Sequence, residues 1–128
     1  MAESNQISVT SPQFEVIKSM EDFVAENLGS LLKPIDESWQ PSDFLPDMTK
    51  ENWKEQVVEF RHRSSALPDE ALVVLIGDMI TEEALPSYQT WLNRLQGVGD
   101  PTGSDGGPWA RWSRGWTSEE NRHGDLLN

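Results

Sequence analysis

The run Ser118-Glu119-Glu120-Asn121-Arg122-His123 decides the reading of this chain. Glu120 and His123 stand three residues apart, so a helix there projects a carboxylate and an imidazole from one face toward one point. Such a pair is half of a carboxylate-histidine metal site, which a further Glu from a neighbouring helix extends. The segment Ile80-Thr81-Glu82-Glu83-Ala84 offers that Glu at the end of the most apolar stretch of the chain. The second half of such a centre is not expected from this chain.

The 128 residues suffice for one domain with its own core. Cysteine is absent, which excludes disulfides, thiolate metal sites and a cysteine nucleophile. His62 and His123 are the only histidines, so any metal must take most of its ligands from carboxylates. A formal net charge of −12 repels phosphate backbones and anionic membranes, and nucleic acid is not an expected partner. The longest apolar stretch, Ala71 to Ile80, is too short for a membrane span and is interrupted by Gly77 and Asp78, so a soluble protein is expected. The first residues, Met-Ala-Glu-Ser-Asn-Gln, resemble neither a secretory signal nor a transit peptide.

Residues 1–12 are polar and aperiodic and read as a loose tail ahead of a domain over 13–128. Phe14, Ile17, Met20, Phe23, Val24, Leu28, Leu31 and Leu32 recur at helical intervals, with Ser19 and Asp22 spaced like a capping box. One helix, or two meeting near Gly29, should end before Pro34. Trp39 to Asp47 carries two prolines among large apolar residues and reads as an ordered loop pinned by Trp39 and Phe44. Thr49 is the expected N-cap of a helix through Trp53, Val57, Val58 and Phe60. Asp69 to Leu95 is the longest helical candidate; it is apolar nearly all round from Ala71 to Ile80, which predicts a central helix surrounded by others. Pro86 has no N–H for the carbonyl of Glu82, so a loosening or kink should follow there. Gln96 to Pro108, with five glycines, reads as a flexible connection, and Trp109, Trp112 and Trp116 then lead into Glu120 and His123 on a last helix. No stretch reads as a strand, and the expected class is all-α.

Continuing the stripe Leu72, Leu75, Met79 by three or four residues lands on Glu82 or Glu83, where a core helix would place an apolar group. A buried carboxylate there needs a partner such as a metal. The competing reading is a helix that emerges into solvent after Ile80. Pattern alone leaves Glu82 against Glu83 open, whereas the spacing to His123 favours Glu120 over Glu119. Hard oxygens with one imidazole per metal suit iron or manganese and leave positions open for dioxygen; zinc is the poorer match. The tryptophan stripe reads first as packing, and Arg61-His62-Arg63 as a solvated face.

Three motifs together resemble the plant acyl-acyl carrier protein desaturases: Trp39-Gln40-Pro41-x-Asp43-Phe44-Leu45-Pro46-Asp47, the run Gly77 to Thr90, and the run Trp116 to Asn128. The resemblance extends from about Phe14 to the last residue. It implies a ferritin-like di-iron helical bundle, truncated here after the first Glu-x-x-His helix, that places a cis double bond in a saturated acyl chain on acyl carrier protein. It further implies dioxygen as oxidant, reduced ferredoxin as electron donor, a homodimer and a plastid-stroma location. Carried over by position, Glu82 is a terminal iron ligand, Glu120 bridges two irons and His123 completes the first iron's shell. Trp39 and Trp116 match tryptophans near the family's electron route. Trp91, Arg94 and Leu95 fall on the helix beside the acyl channel, where Trp91 and Arg94 replace smaller residues. Family enzymes bring a third Glu and a second Glu-x-x-His from two further helices, with no counterpart expected here. The chain is therefore expected to be an N-terminal piece of such an enzyme, inactive alone; the alternative is a non-catalytic remnant that pairs with full-length subunits or acyl carrier protein.

Overall fold

A computed structural model describes residues 6–128. Six α-helices follow one another: α1 (Ser11–Ser19), α2 (Glu21–Leu31), α3 (Trp53–Ser64), α4 (Asp69–Glu83), α5 (Leu85–Asn93) and α6 (Pro108–Leu127). Two single 3-10 turns, Ile35–Glu37 and Pro41–Phe44, occupy the loop between α2 and α3. Among the described residues the only β-type contact is an isolated parallel bridge between Ile7 and Leu95. The fold is all-α.

The twenty residues of α6 make a rod about 30 Å long. α2, α4, α5 and the Pro41–Phe44 turn all pack on α6, which makes it the hub of the fold. Pro108 at its first turn, after Gly107, supplies a fixed φ where no amide hydrogen is needed. Its buried positions are the small residues Ala110, Ser113 and Gly124, which let neighbouring helices approach. Val24, Leu28 and Leu85 complete the buried apolar set among the described residues.

Several expectations are corrected. The expected central helix, α4, is not surrounded: it packs on α6 and α5 only, leaving Val73 69% and Ile80 61% exposed. Apolar composition states what a helix can bury, not which partners are present to bury it. The first helical run breaks at Met20 rather than near Gly29. Ser19 donates back to the Val16 carbonyl at 2.8 Å instead of capping α2, and the turn lets Ile17 reach the Gly97 loop while Val24 and Leu28 lie buried on α2. Thr49 does not cap α3, whose N-cap is Asn52. Its hydroxyl and amide instead donate to Asp47 at 2.6 and 3.0 Å, holding that exposed carboxyl below its ordinary pKa. The tail expected over residues 1–12 is tied down in its described part. The Ile7 amide donates to the Arg94 carbonyl at 2.7 Å, the Gln96 amide donates to Ile7, and α1 already starts at Ser11. Residues 1–5 lie outside the described set.

The break after Glu82 occurs where Pro86 demands it: α4 stops at Glu83 and α5 restarts with Pro86 in its first turn. The loop 96–108, expected to be flexible, is instead folded around Asp100. Asp100 is fully buried, bonded to Arg114 through Oδ2 and to the Asp105 amide through Oδ1 at 2.8 Å. Gly97 holds φ at +103°, and a Cβ there would stand 2.7 Å from Ile17 Cγ2. Gly97→Ala is therefore expected to cost about 2 kcal/mol, through left-handed strain and overpacking together. A thermal melt followed by circular dichroism checks this, and an unchanged midpoint would contradict it.

Candidate metal centre

α4 and α6 run side by side, and the glycine that follows His123 sets how close they come. A Cβ on Gly124 would lie only 3.3 Å from Glu82 Cβ and 3.6 Å from its carbonyl carbon. Glu82, in the last turn of α4, is thereby set against the part of α6 that carries Glu120 and His123 one turn apart. His123 Nδ1 lies 2.8 Å from Glu120 Oε2 and 3.9 Å from Glu82 Oε1. One donor atom from each of the three residues lies within 4.8 Å of the others. Donors about 2.1 Å from a shared ion stand about 3 Å apart at right angles and about 4 Å apart when nearly opposite. The two nitrogen-oxygen separations fall in that span, and two carboxylates with an imidazole form the hard donor set that iron or manganese takes.

The neighbouring acids are committed elsewhere. Glu119 Oε1 accepts the Lys33 amide at 2.9 Å, closing the loop after α2 onto α6, and Glu83 is exposed. The Glu-x-x-His pattern also occurs at Glu59-Phe60-Arg61-His62 on α3, which sequence reading passed over. Both ends of that second pattern are exposed, and no group of three metal-binding side chains forms there among the described residues. Spacing alone does not make a site. A third donor from another helix does.

Trp39 reaches this centre from the loop. Its indole stacks on the His123 ring, with centroids 5.9 Å apart and planes within 4°, and the Arg122 guanidinium lies 5.6 Å from the Trp39 ring centre. Phe44 meets Trp39 edge-on at 5.5 Å, as the loop reading anticipated. Trp116 is placed differently: its ring partner is Trp112, stacked at 5.9 Å, and Trp112 in turn meets Trp109 edge-on.

The three residues read as channel-lining separate. Leu95 lines an apolar cavity of about 170 Å3 with Ile17, Leu92, Val98, Trp109 and Trp112. Trp91 is half exposed and does not line it, and the Arg94 carbonyl is engaged by Ile7. A polar layer that sequence reading missed joins α5 to α6: Gln89 bonds Asn93, Ser113 and Thr117, with Ser113 buried. Its only sequence signal is a glutamine at a helix position that faces inward.

Residues 12–128 match the family described as fatty acid desaturase. The chain belongs to the fatty acid desaturase family. Over 121 residues it is 60% identical to an acyl-acyl carrier protein desaturase, chloroplastic, of Cucumis sativus. It is 58% identical over 127 residues to stearoyl-acyl carrier protein 9-desaturase 2, chloroplastic, of Arabidopsis thaliana, and 57% identical over 121 residues to a chloroplastic stearoyl-acyl carrier protein 9-desaturase of Solanum tuberosum. These matches cover 94%, 97% and 94% of this desaturase-family chain. The chain spans about 31% of the length of each of these relatives. No helix of the described residues is long and apolar enough to cross a membrane.

Proposed function

We propose that this chain supplies one iron half-site of an acyl-acyl carrier protein desaturase of fatty acid biosynthesis, with Glu82, Glu120 and His123 as its ligands. The observation that carries the reading is the convergence of these three side chains from two adjacent helices within 4.8 Å. By resemblance to the family, Glu82 and Glu120 would hold iron through their carboxylate oxygens and His123 through its imidazole nitrogen. Iron, when bound, supplies the dioxygen chemistry: two acyl hydrogens, two electrons from reduced ferredoxin and two protons take dioxygen to two waters, leaving a cis double bond.

The chain's own residues bind and orient. α4 and α6 hold the two carboxylates against one imidazole, and the Pro86 break ends α4 just past Glu82 and starts α5, which packs on α6 in its own right. Trp91, Arg94 and Leu95 stand beside the acyl channel in the family pattern, and the apolar cavity at Leu95 is compatible with that role. Trp39, stacked on a ligand, is suited to the electron route carried over with Trp116. Acyl carrier protein and ferredoxin as partners, a homodimer and a plastid stroma location belong to the same proposal, and relatives named chloroplastic support the last.

Titration of the purified chain with Co(II), a spectroscopic stand-in for Fe(II), tests the ligand set. Glu82→Gln, Glu120→Gln and His123→Ala are each expected to weaken binding at least about tenfold, roughly 1.4 kcal/mol. Glu83→Gln should leave it unchanged, and an equal loss there would overturn the assignment. These 128 residues hold three of the ligands that the family resemblance implies, so taken on their own they are expected to form no unsaturated product from stearoyl-acyl carrier protein and reduced ferredoxin. Steady product formation in that assay would contradict this.

A further inference from the structure

His123 is the most exposed of the three metal-binding side chains, at 45% against 25% for Glu82 and 27% for Glu120. Nδ1 of this open imidazole meets Glu120 at 2.8 Å and Glu82 at 3.9 Å, and rotation about its ring torsion exchanges Nδ1 for the opposite edge of the ring. The structure shows one broad surface laid along that ring, the indole of Trp39. The near-parallel planes and 5.9 Å centroid separation are those of an offset stack.

Trp39 is itself held from three directions. Phe44 meets it edge-on, the Arg122 guanidinium covers it at 5.6 Å, and the preceding Ser38 is buried with its hydroxyl donating to the Pro34 carbonyl at 2.9 Å. Arg122 is anchored in turn by donating from Nη1 to the Ser118 carbonyl at 3.3 Å. At the near end of the same loop the Lys33 amide is bound by Glu119. The loop 33–44 therefore clasps α6 on both sides of Glu120: Glu119 takes the backbone, and Arg122 with His123 takes the indole.

We infer that Trp39 is a positioning residue for His123, fixing the imidazole plane so that Nδ1 faces Glu120 and Glu82, with Arg122 holding the indole in place. The inference rests on the three-ligand reading above and adds a residue to it. Neighbours that orient a metal-binding histidine typically change affinity 10- to 100-fold when removed.

The test uses the full chain with Trp39→Leu, Trp39→Phe and Gly97→Ala, the last a destabilised control remote from His123. Expected with Co(II) is a 10- to 100-fold loss of affinity and an altered visible spectrum for Trp39→Leu, with most of both restored by Trp39→Phe. Gly97→Ala should lower the melting temperature without changing either. Nitrogen-15 spectra of the metal-free chain should show one His123 tautomer in the parent and a mixture in Trp39→Leu. Parent-like affinity and tautomer in Trp39→Leu would overturn the inference. So would losses that Trp39→Phe does not rescue or that Gly97→Ala shares. If the parent chain binds no Co(II), the ligand reading falls, while the tautomer measurement still decides the role of Trp39.

Discussion

Asp100→Ala is expected to lower the stability of the fold by about 3 kcal/mol, the low end of the range for breaking a buried ion pair. Asp100 is fully buried, while its partner Arg114 keeps about a third of its side chain in water, 33%, and recovers some solvation when the pair is lost. The carboxylate also accepts the Asp105 amide, and Arg114 donates a second bond to the Asp105 carbonyl at 2.7 Å. The Asp100 amide donates to the Asn93 carbonyl at the end of α5, and its carbonyl accepts the Gly103 amide. One residue thus ties the end of α5, the glycine-rich loop and the first half of α6 together, its backbone holding α5 and Gly103 and its side chain holding Asp105 and Arg114. Asp100→Asn keeps an acceptor but not the charge and should cost about half as much. Urea unfolding followed by circular dichroism measures both variants. Values within about 0.5 kcal/mol of the parent would mean that desolvation cancels the attraction, as it can in buried pairs.

Gly124→Leu is expected to weaken Co(II) binding about 10- to 100-fold and to cost about 1–3 kcal/mol by overpacking. The position faces Glu82, and a Cβ would already be in tight contact with Glu82 Cβ at 3.3 Å and in ordinary contact with its backbone. A leucine must push α4 away, and Glu82 Oε1, 3.9 Å from His123 Nδ1, moves with it. Gly124→Ala separates the two effects. Its helix propensity gain of about 1 kcal/mol offsets the tight contact, so stability should stay near the parent while affinity falls only slightly. Parent-like affinity in Gly124→Leu would show that the ligands do not depend on this close approach.

The helices were legible where apolar residues recur with the helical period, and the break between α4 and α5 was legible because proline removes a specific hydrogen-bond donor. The break at Met20 was not, since it serves contacts made by Ile17 and α2 on opposite sides of the turn. The loop 96–108 misled for a related reason. Glycine advertises conformational freedom locally, whereas the restraint comes from Arg114, fourteen residues further along the chain than Asp100.

At the site, Glu120 with His123 was legible because three residues on a helix bring two side chains to one face, whatever surrounds it. That local geometry determined the candidate chemistry and, with the absence of cysteine, the kind of metal it suits. The same spacing at Glu59 and His62 leads nowhere, since no third donor from another helix joins them among the described residues. Spacing to His123 already favoured Glu120 over Glu119, and pattern left Glu82 against Glu83 open; the tertiary structure adds where the neighbouring acids go. Glu119 turns to the Lys33 backbone and Glu83 to solvent, and Gly124 lets Glu82 reach the imidazole. Periodicity dictates which side chains share a face; what that face meets depends on helices distant in sequence, and distance in space is not written in any local pattern.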